Sequence, residues 1–141
     1  MKRNKLAYLL LLTISVFTIA CETDEDPVED TDVRDRFIGR WNCTEESQIN
    51  GERTFFVDID YDTTSIDKIE LINFYDMGTS SFVLGEISTT NEEAINIPAQ
   101  DLDGLTVQGS GTMENNDLLL FNYLVDDGLE LDSISATFIR Q

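Results

Sequence analysis

Acids are the one plentiful chemistry-bearing group in this chain: 28 Asp and Glu among 141 residues, and no histidine. The missing imidazole removes Ser-His and Cys-His nucleophilic catalysis and histidine metal sites together. The densest acidic run with regular spacing is "DIDYDTTSID", residues 58–67. An EF-hand loop needs Asp-type ligands at positions 1, 3 and 5, Gly at 6 and Glu at 12. Asp58, Asp60 and Asp62 fit, but Thr63 stands in place of the Gly and Ile69 in place of the Glu. Acids alternating with Val57, Ile59 and Tyr61 read better as the wet face of a strand. A loose calcium site is the lesser alternative. Glycoside hydrolysis needs two carboxyls at a fixed separation, one with a raised pKa. Among so many acids no pair stands out. The expectation is a protein with no catalytic residue, no metal and no cofactor, and not an enzyme.

The two cysteines point elsewhere. Residues 16–30, "VFTIACETDEDPVED", change from oily to acidic at Cys21. Lys2, Arg3 and Lys5 give a basic start, and residues 6–20 carry no charge. Fifteen helical residues span roughly 22 Å, short of the ~30 Å hydrocarbon core, which suits a signal-peptide core better than a spanning helix. A basic start, a short apolar run and Ala20 before Cys21 resemble a bacterial lipoprotein signal. Thr18 departs from that pattern, standing where a leucine-like residue is commonest. The resemblance implies cleavage after Ala20 and acyl chains on the thiol and new amine of Cys21. Two or more such chains hold a protein stably on a membrane, whereas one holds only reversibly. The bland alternative is an ordinary secretory signal with an incidental cysteine. With Cys21 acylated, Cys43 is left alone, as suits a buried, inert thiol.

Removal of residues 1–20 leaves six basic residues against 28 acids, a net charge near −22. Such a surface repels nucleic acid and anionic headgroups, so membrane attachment rests on the lipid alone. "ETDEDPVEDTD", residues 22–32, has few apolar groups and repels itself, so it reads as a solvated tether. Acids directly after the cysteine also resemble the export signal of surface lipoproteins in the Bacteroidota. The expected organisation is a signal peptide at 1–20, a disordered acidic tether at 21–33 and one folded domain at 34–141. The implied location is the bacterial outer membrane or cell surface, and the folded domain is expected to be a monomer.

The folded domain reads as all-β. Short alternating runs are broken by Gly, Asn and Asp. Eight strands are expected, at 41–48, 53–62, 68–75, 81–87, 94–99, 105–113, 117–125 and 134–140. Asn50-Gly51 is the clearest hairpin signal. Consecutive strands with short links favour antiparallel neighbours, and eight can close into an up-and-down barrel without free edges. An open sandwich is the competitor. "VRDRFIGRW" is expected to make one helical turn that plugs a barrel end.

Gly39-Arg40-Trp41 opens the first strand, and Arg140 ends the last. This resembles the lipocalin-like and fatty-acid-binding barrels. In those, a Gly-x-Trp motif follows a short helical turn and an arginine from a late strand covers the tryptophan. The resemblance implies that Trp41 is the plug, Arg140 its cover and Gly39 the tight approach to it. "INFYDMG", "INIPAQDLDGLTVQGSGTM" and the final "SATFIR" extend the likeness to small lipocalin-like lipoproteins of the Bacteroidota, over roughly residues 37–141. No ligand comes with it.

Function follows as two readings. One is a binding module for a small apolar ligand, held by Trp41, Val107 and Phe138, with an interior cavity of roughly 300 Å³ or more. The other is a structural or envelope-protein-binding lipoprotein with a packed barrel. Gly109 and Gly111, in phase with Val107 and Met113, either leave interior space or let the sheet bend. Strand seven is apolar on both faces, and in strand three Ile69 and Leu71 compete with Ile72 and Phe74 for the inward face. Asp62-Thr63-Thr64 and Asp132-Ser133-Ile134 match a short acceptor pattern for O-linked sugars in exported Bacteroidota proteins.

Overall fold

The structure is a computed structural model, and it describes residues 31–141. The signal segment, Cys21 and the tether up to residue 30 lie outside the described residues. Eight antiparallel strands form a closed barrel in chain order, with β1 pairing β8. They are β1 (Gly39–Ser47), β2 (Gly51–Tyr61), β3 (Lys68–Ile72), β4 (Phe82–Ile87), β5 (Ala94–Leu102), β6 (Leu105–Asn115), β7 (Leu118–Asp126) and β8 (Leu131–Arg140). The all-β, up-and-down barrel expected from the alternation is therefore the fold.

Alternation decides which side chains enter. Trp41 and Cys43 of β1, Phe55, Val57 and Ile59 of β2, and Ile69 and Leu71 of β3 are buried. In the two-faced β7, Leu119, Phe121, Tyr123 and Val125 go inward, while Leu120 stays on the outside. Each fully buried Ile, Leu, Val or Phe contributes about 1.5–3 kcal/mol of hydrophobic stabilisation.

Four details depart from the expected elements. Strand β3 ends at Ile72 rather than Tyr75, because Asn73 (φ 63°), Tyr75 (φ 57°) and Asp76 (φ 61°) take the left-handed conformation. Phe74 and Tyr75 thus belong to a 3₁₀ turn (Phe74–Asp76) and not to a strand. Strand β5 continues past Ala99 to Leu102 through an irregularity between Ile97 and Gln100. Tyr61 lies exposed at the end of β2, where its hydroxyl donates to Asp35 at 2.6 Å. Asp32 and Val33, read as tether, belong to the folded unit: Asp32 caps the 3₁₀ turn Val33–Arg36, and Val33 packs against the core.

The two ends differ. One is closed by the Val33–Arg36 turn, whose buried Arg34 donates to the carbonyls of Asp62 (3.1 Å) and Ser65 (2.9 Å) and so ties down the β2–β3 loop. The other end, the mouth, gathers the β1–β2, β3–β4, β5–β6 and β7–β8 connections. The seam between β4 and β5 is short, pairing only Glu86 with Asn96 and Ile87 with Ile95. Beyond it the Gln100 amide replaces the missing ladder. It accepts from Leu84 N and donates to Leu84 O, both at 2.8 Å.

Candidate functional site

The closed end assembles around Trp41. Its indole is fully buried and donates from Nε1 to Phe37 O at 2.8 Å. The Arg140 guanidinium carbon lies 4.2 Å from the ring centroid. Register explains the meeting, because Trp41 and Arg140 are direct cross-strand partners on β1 and β8. Arg140 also donates to Asn116 O in the β6–β7 turn (2.7 Å) and to Ile38 O at the entry to β1 (2.8 Å), tying the two together. Gly39 has φ 129°, and a Cβ there would stand 3.3 Å from Arg140 Nη1. A side chain at 39 is thus opposed by both backbone and neighbour.

Val107 and Phe138 are likewise fully buried wall residues. Phe138, opposite Cys43 on β1, sits near Trp41; Val107, on β6 opposite Val125, belongs to the other wall toward the mouth. These three do not converge on one point. Four aromatic rings fill the space between the walls. Phe74 packs against Tyr123 (4.6 Å between centroids), Phe121 (6.3 Å) and Phe138 (6.5 Å), and Phe121 meets Phe138 at 4.8 Å. Gly111 makes room for one of them: a Cβ there would lie 2.3 Å from the Phe121 ring. At Gly109 the constraint is backbone. A Cβ would lie 2.5 Å from Asn122 O and 2.6 Å from Tyr123 Cα, so the glycine lets β6 and β7 close on each other.

Above these rings, toward the mouth, lies a cluster that the sequence reading did not anticipate. Glu45 is fully buried and accepts hydrogen bonds from Arg53 Nη2 and the Tyr123 hydroxyl. Burial, with the Glu45 carboxylate alongside, pushes the Tyr123 phenol far above its ordinary range, so it stays a donor. Arg53 lies 4.4 Å over the Tyr75 ring, and its Nε is buried without an acceptor. Tyr75 reaches Asp132 Oδ2 at 3.4 Å, and Ser47 donates to the same oxygen at 2.6 Å. A recess of about 180 Å³ opens here, lined by Asn50, Tyr75, Leu105, Val125 and Asp132 among others. The clue was available: Glu45 shares the inward phase of Trp41 and Cys43, and Arg53 is its direct partner across the first hairpin.

The remaining sequence candidates are dispersed. Asp58 pairs with Arg40 (two contacts of 2.8 Å), Asp60 accepts from Tyr61 N, and Asp62 accepts from Thr64 N and Oγ1. Cys43 is buried among the core residues, and burial first, then Glu45, pushes its thiol well above the ordinary range. Thr63 is exposed in a loop, whereas Ser133 lies half-buried within β8.

No family model and no curated protein matches this chain. Among solved structures it is similar to a redesigned β-barrel, mFAP1, bound to DFHBI. The two share 12% identity over 78% of this chain and 100% of that one, with a TM-score of 0.56. The structure of EF1p2_mFAP2b bound to DFHBI matches at 14% identity, 78% and 98% coverage and a TM-score of 0.53. A redesigned β-barrel, b11L5F_LGL, matches at 15% identity, 78% and 96% coverage and a TM-score of 0.52. At such identities the likeness establishes one thing, the antiparallel β-barrel itself.

Proposed function

We propose that this chain is a lipid-anchored envelope lipoprotein, of the lipocalin-like kind found in the Bacteroidota, whose monomeric barrel binds a small apolar molecule through its mouth. The anchor is Cys21, freed by cleavage after Ala20 and acylated, with the acidic tether holding the barrel away from the outer membrane or cell surface. The protein is a carrier or sensor and not an enzyme: its fully buried carboxylate, Glu45, is already engaged by Arg53 and Tyr123. Barrels of this fold are described with DFHBI bound, which suits a small-ligand role.

One observation carries the binding reading. Phe74 reaches the middle of the barrel from a connection rather than from a wall, and its neighbour Tyr75 adopts a left-handed conformation to put it there. Non-glycine residues held in that region cost of order 1–3 kcal/mol each and cluster at clamps and switches. Phe74 therefore acts as a resident plug that an apolar ligand displaces. The ligand's apparent affinity is reduced by the fraction of molecules in which the plug is seated.

A second reading, a packed structural or protein-binding barrel, is favoured by the complete burial of Trp41, Val107 and Phe138. A fluorescence titration with N-phenyl-1-naphthylamine, a neutral apolar probe, separates the two. The plug reading predicts that the native protein binds the probe and that Phe74→Ala binds it about tenfold more tightly. Phe74→Leu serves as the milder variant, since a buried Phe→Ala change costs about 3–5 kcal/mol. Absence of binding by the native protein supports the packed barrel. Intact mass of the protein from its host tests the anchor, which requires acyl chains on Cys21.

A further inference from the structure

The outer surface of the barrel is charge-rich on one side only. Across β2–β4 the outward positions include Asp58, Asp60, Lys68, Glu70 and Glu86. Across β5–β8 the mid-strand outward positions are Asn96, Pro98, Gln108, Ser110, Thr112, Leu120, Asn122, Leu124, Ser133, Ser135 and Thr137, without a single charge. In a chain with 28 acids this is a marked gap. Acids return at the strand ends, with Asp101 and Asp126 toward the mouth and Glu93 and Glu114 toward the closed end.

Within this band lies a groove of about 460 Å³. It is inside the roughly 300–1,000 Å³ range of small-molecule sites. Two irregularities build it. The register shift between Ile97 and Gln100 displaces Pro98 and Ala99 to form one wall, and Gln100 pins the shift through its bond to Pro98 O at 3.1 Å. Gly109, whose missing side chain admits the close approach of β7, lies in the floor. Asn96, Gln108, Asn122 and Ser133 line it beside Pro98 and Leu124. The lining holds no Asp, Glu, Lys or Arg, and its one ionisable side chain, Tyr123, turns its hydroxyl inward to Glu45.

The chemistry of the lining selects by exclusion. An anion meets a strongly acidic molecule with no cation in the groove. A cation finds no carboxylate there. A purely apolar ligand covers amides that lose water and gain no partner, which is costly. A neutral polyhydroxylated ligand avoids all three penalties. Asn96 and Gln108 each offer a carbonyl acceptor and two N–H donors, and Asn122, whose Oδ1 already accepts from the Ser135 hydroxyl at 3.0 Å, offers its N–H donors. These are a match for adjacent hydroxyls that donate and accept, while Pro98 and Leu124 supply apolar surface for the C–H side of a sugar ring. We infer that this outer groove is a binding site for a neutral oligosaccharide, separate from the barrel interior.

The side-chain amide signals of Asn96, Gln108 and Asn122 report directly in a nitrogen-15 NMR titration of the folded domain. The probes are maltotriose, cellotriose and xylotriose, with trigalacturonate as the anionic control, at millimolar concentration. The inference predicts that at least one neutral trisaccharide shifts the Gln108 and Asn122 amide signals, that trigalacturonate does not, and that the doubly substituted Gln108→Ala, Asn122→Ala protein binds about tenfold more weakly. Both positions are exposed, so the fold tolerates the changes. Phe74→Leu leaves the sugar response intact, which separates this site from the interior one. The inference is overturned if no neutral trisaccharide moves these signals, if trigalacturonate moves them equally, or if the double substitution leaves affinity unchanged.

Discussion

Glu45 and Arg53 show at the scale of single residues why a barrel core tolerates a charge. Removing a carboxylate from water costs several kcal/mol, and only a close partner with hydrogen bonds offsets it. Arg53 and the Tyr123 hydroxyl supply both. Arg53→Ala is expected to destabilise the fold by about 3 kcal/mol, because it strands a buried carboxylate. The pair Arg53→Ala, Glu45→Gln is expected to recover much of that loss, since the stranded charge is gone. Urea unfolding of the two variants reads the difference. An equal loss in both would mean that the Arg53 guanidinium stacked over Tyr75 matters and the ion pair does not. At this scale the sequence was partly legible. The inward phase of Trp41 and Cys43 extends to Glu45 by simple alternation. Its partner required the register of the first hairpin, which places Ser47 opposite Gly51 and hence Glu45 opposite Arg53.

At the scale of elements, alternation located all eight strands, because a strand with one wet face and one buried face writes its phase into the sequence. It failed where backbone conformation changed without a change of composition. "INFYD" continues the apolar pattern of β3, yet the chain turns at Asn73 and Phe74 enters the barrel from the side. Nothing in a Phe-Tyr pair announces a left-handed Tyr75; tertiary packing under Arg53 and beside Tyr123 enforces it. Gly109 was legible only as a marked position: a glycine inside the strand pointed to interior space or a bend, and what it serves is the close approach of β6 to β7. Gly109→Ala is expected to cost about 3 kcal/mol or more, because the added methyl meets main chain that cannot yield. Gly128→Ala, with open space but φ 82°, is expected to cost only about 1–2 kcal/mol. Thermal unfolding of both variants checks the contrast, and comparable losses would contradict the close β6–β7 approach assigned to Gly109.

For the whole molecule, the acidic surface sets the response to pH. Asp32, held by Arg34, Asp58, held by Arg40, Asp62, held by Thr64, and Asp127, held by the amides of Glu130 and Leu129, all have carboxyls below their usual range. Lowered folded values mean that their stabilising contribution is complete above the unfolded value and disappears as pH falls through the folded one. Asp127 is exposed and Asp32 and Asp58 are partly so, and solvent screens their contributions, whereas Asp62 is buried. Glu70 runs the other way. Burial first, then Asp62 and Asp60, raises its carboxyl, and Asp60 is its direct cross-strand partner. Its charge opposes folding above its folded value, and that opposition fades as it takes a proton. The midpoint of thermal unfolding is therefore expected to rise slightly as pH falls from neutral toward the ordinary carboxylate range and to fall below about pH 4. A midpoint that falls steadily from pH 7 would contradict the assignment, and Glu70→Gln should remove the rise.

Phe74 is proposed as a displaceable plug among the four rings of the barrel rather than as permanent core. Proton–carbon NMR of the aromatic rings during titration with N-phenyl-1-naphthylamine tests it most directly. Displacement predicts that the Phe74 ring loses its contacts to Phe121, Tyr123 and Phe138 while contacts from the probe to those three rings appear, with Trp41 unmoved beneath Arg140. A Phe74 ring that keeps its contacts at saturating probe, or a probe seen only on the outer surface, would contradict it.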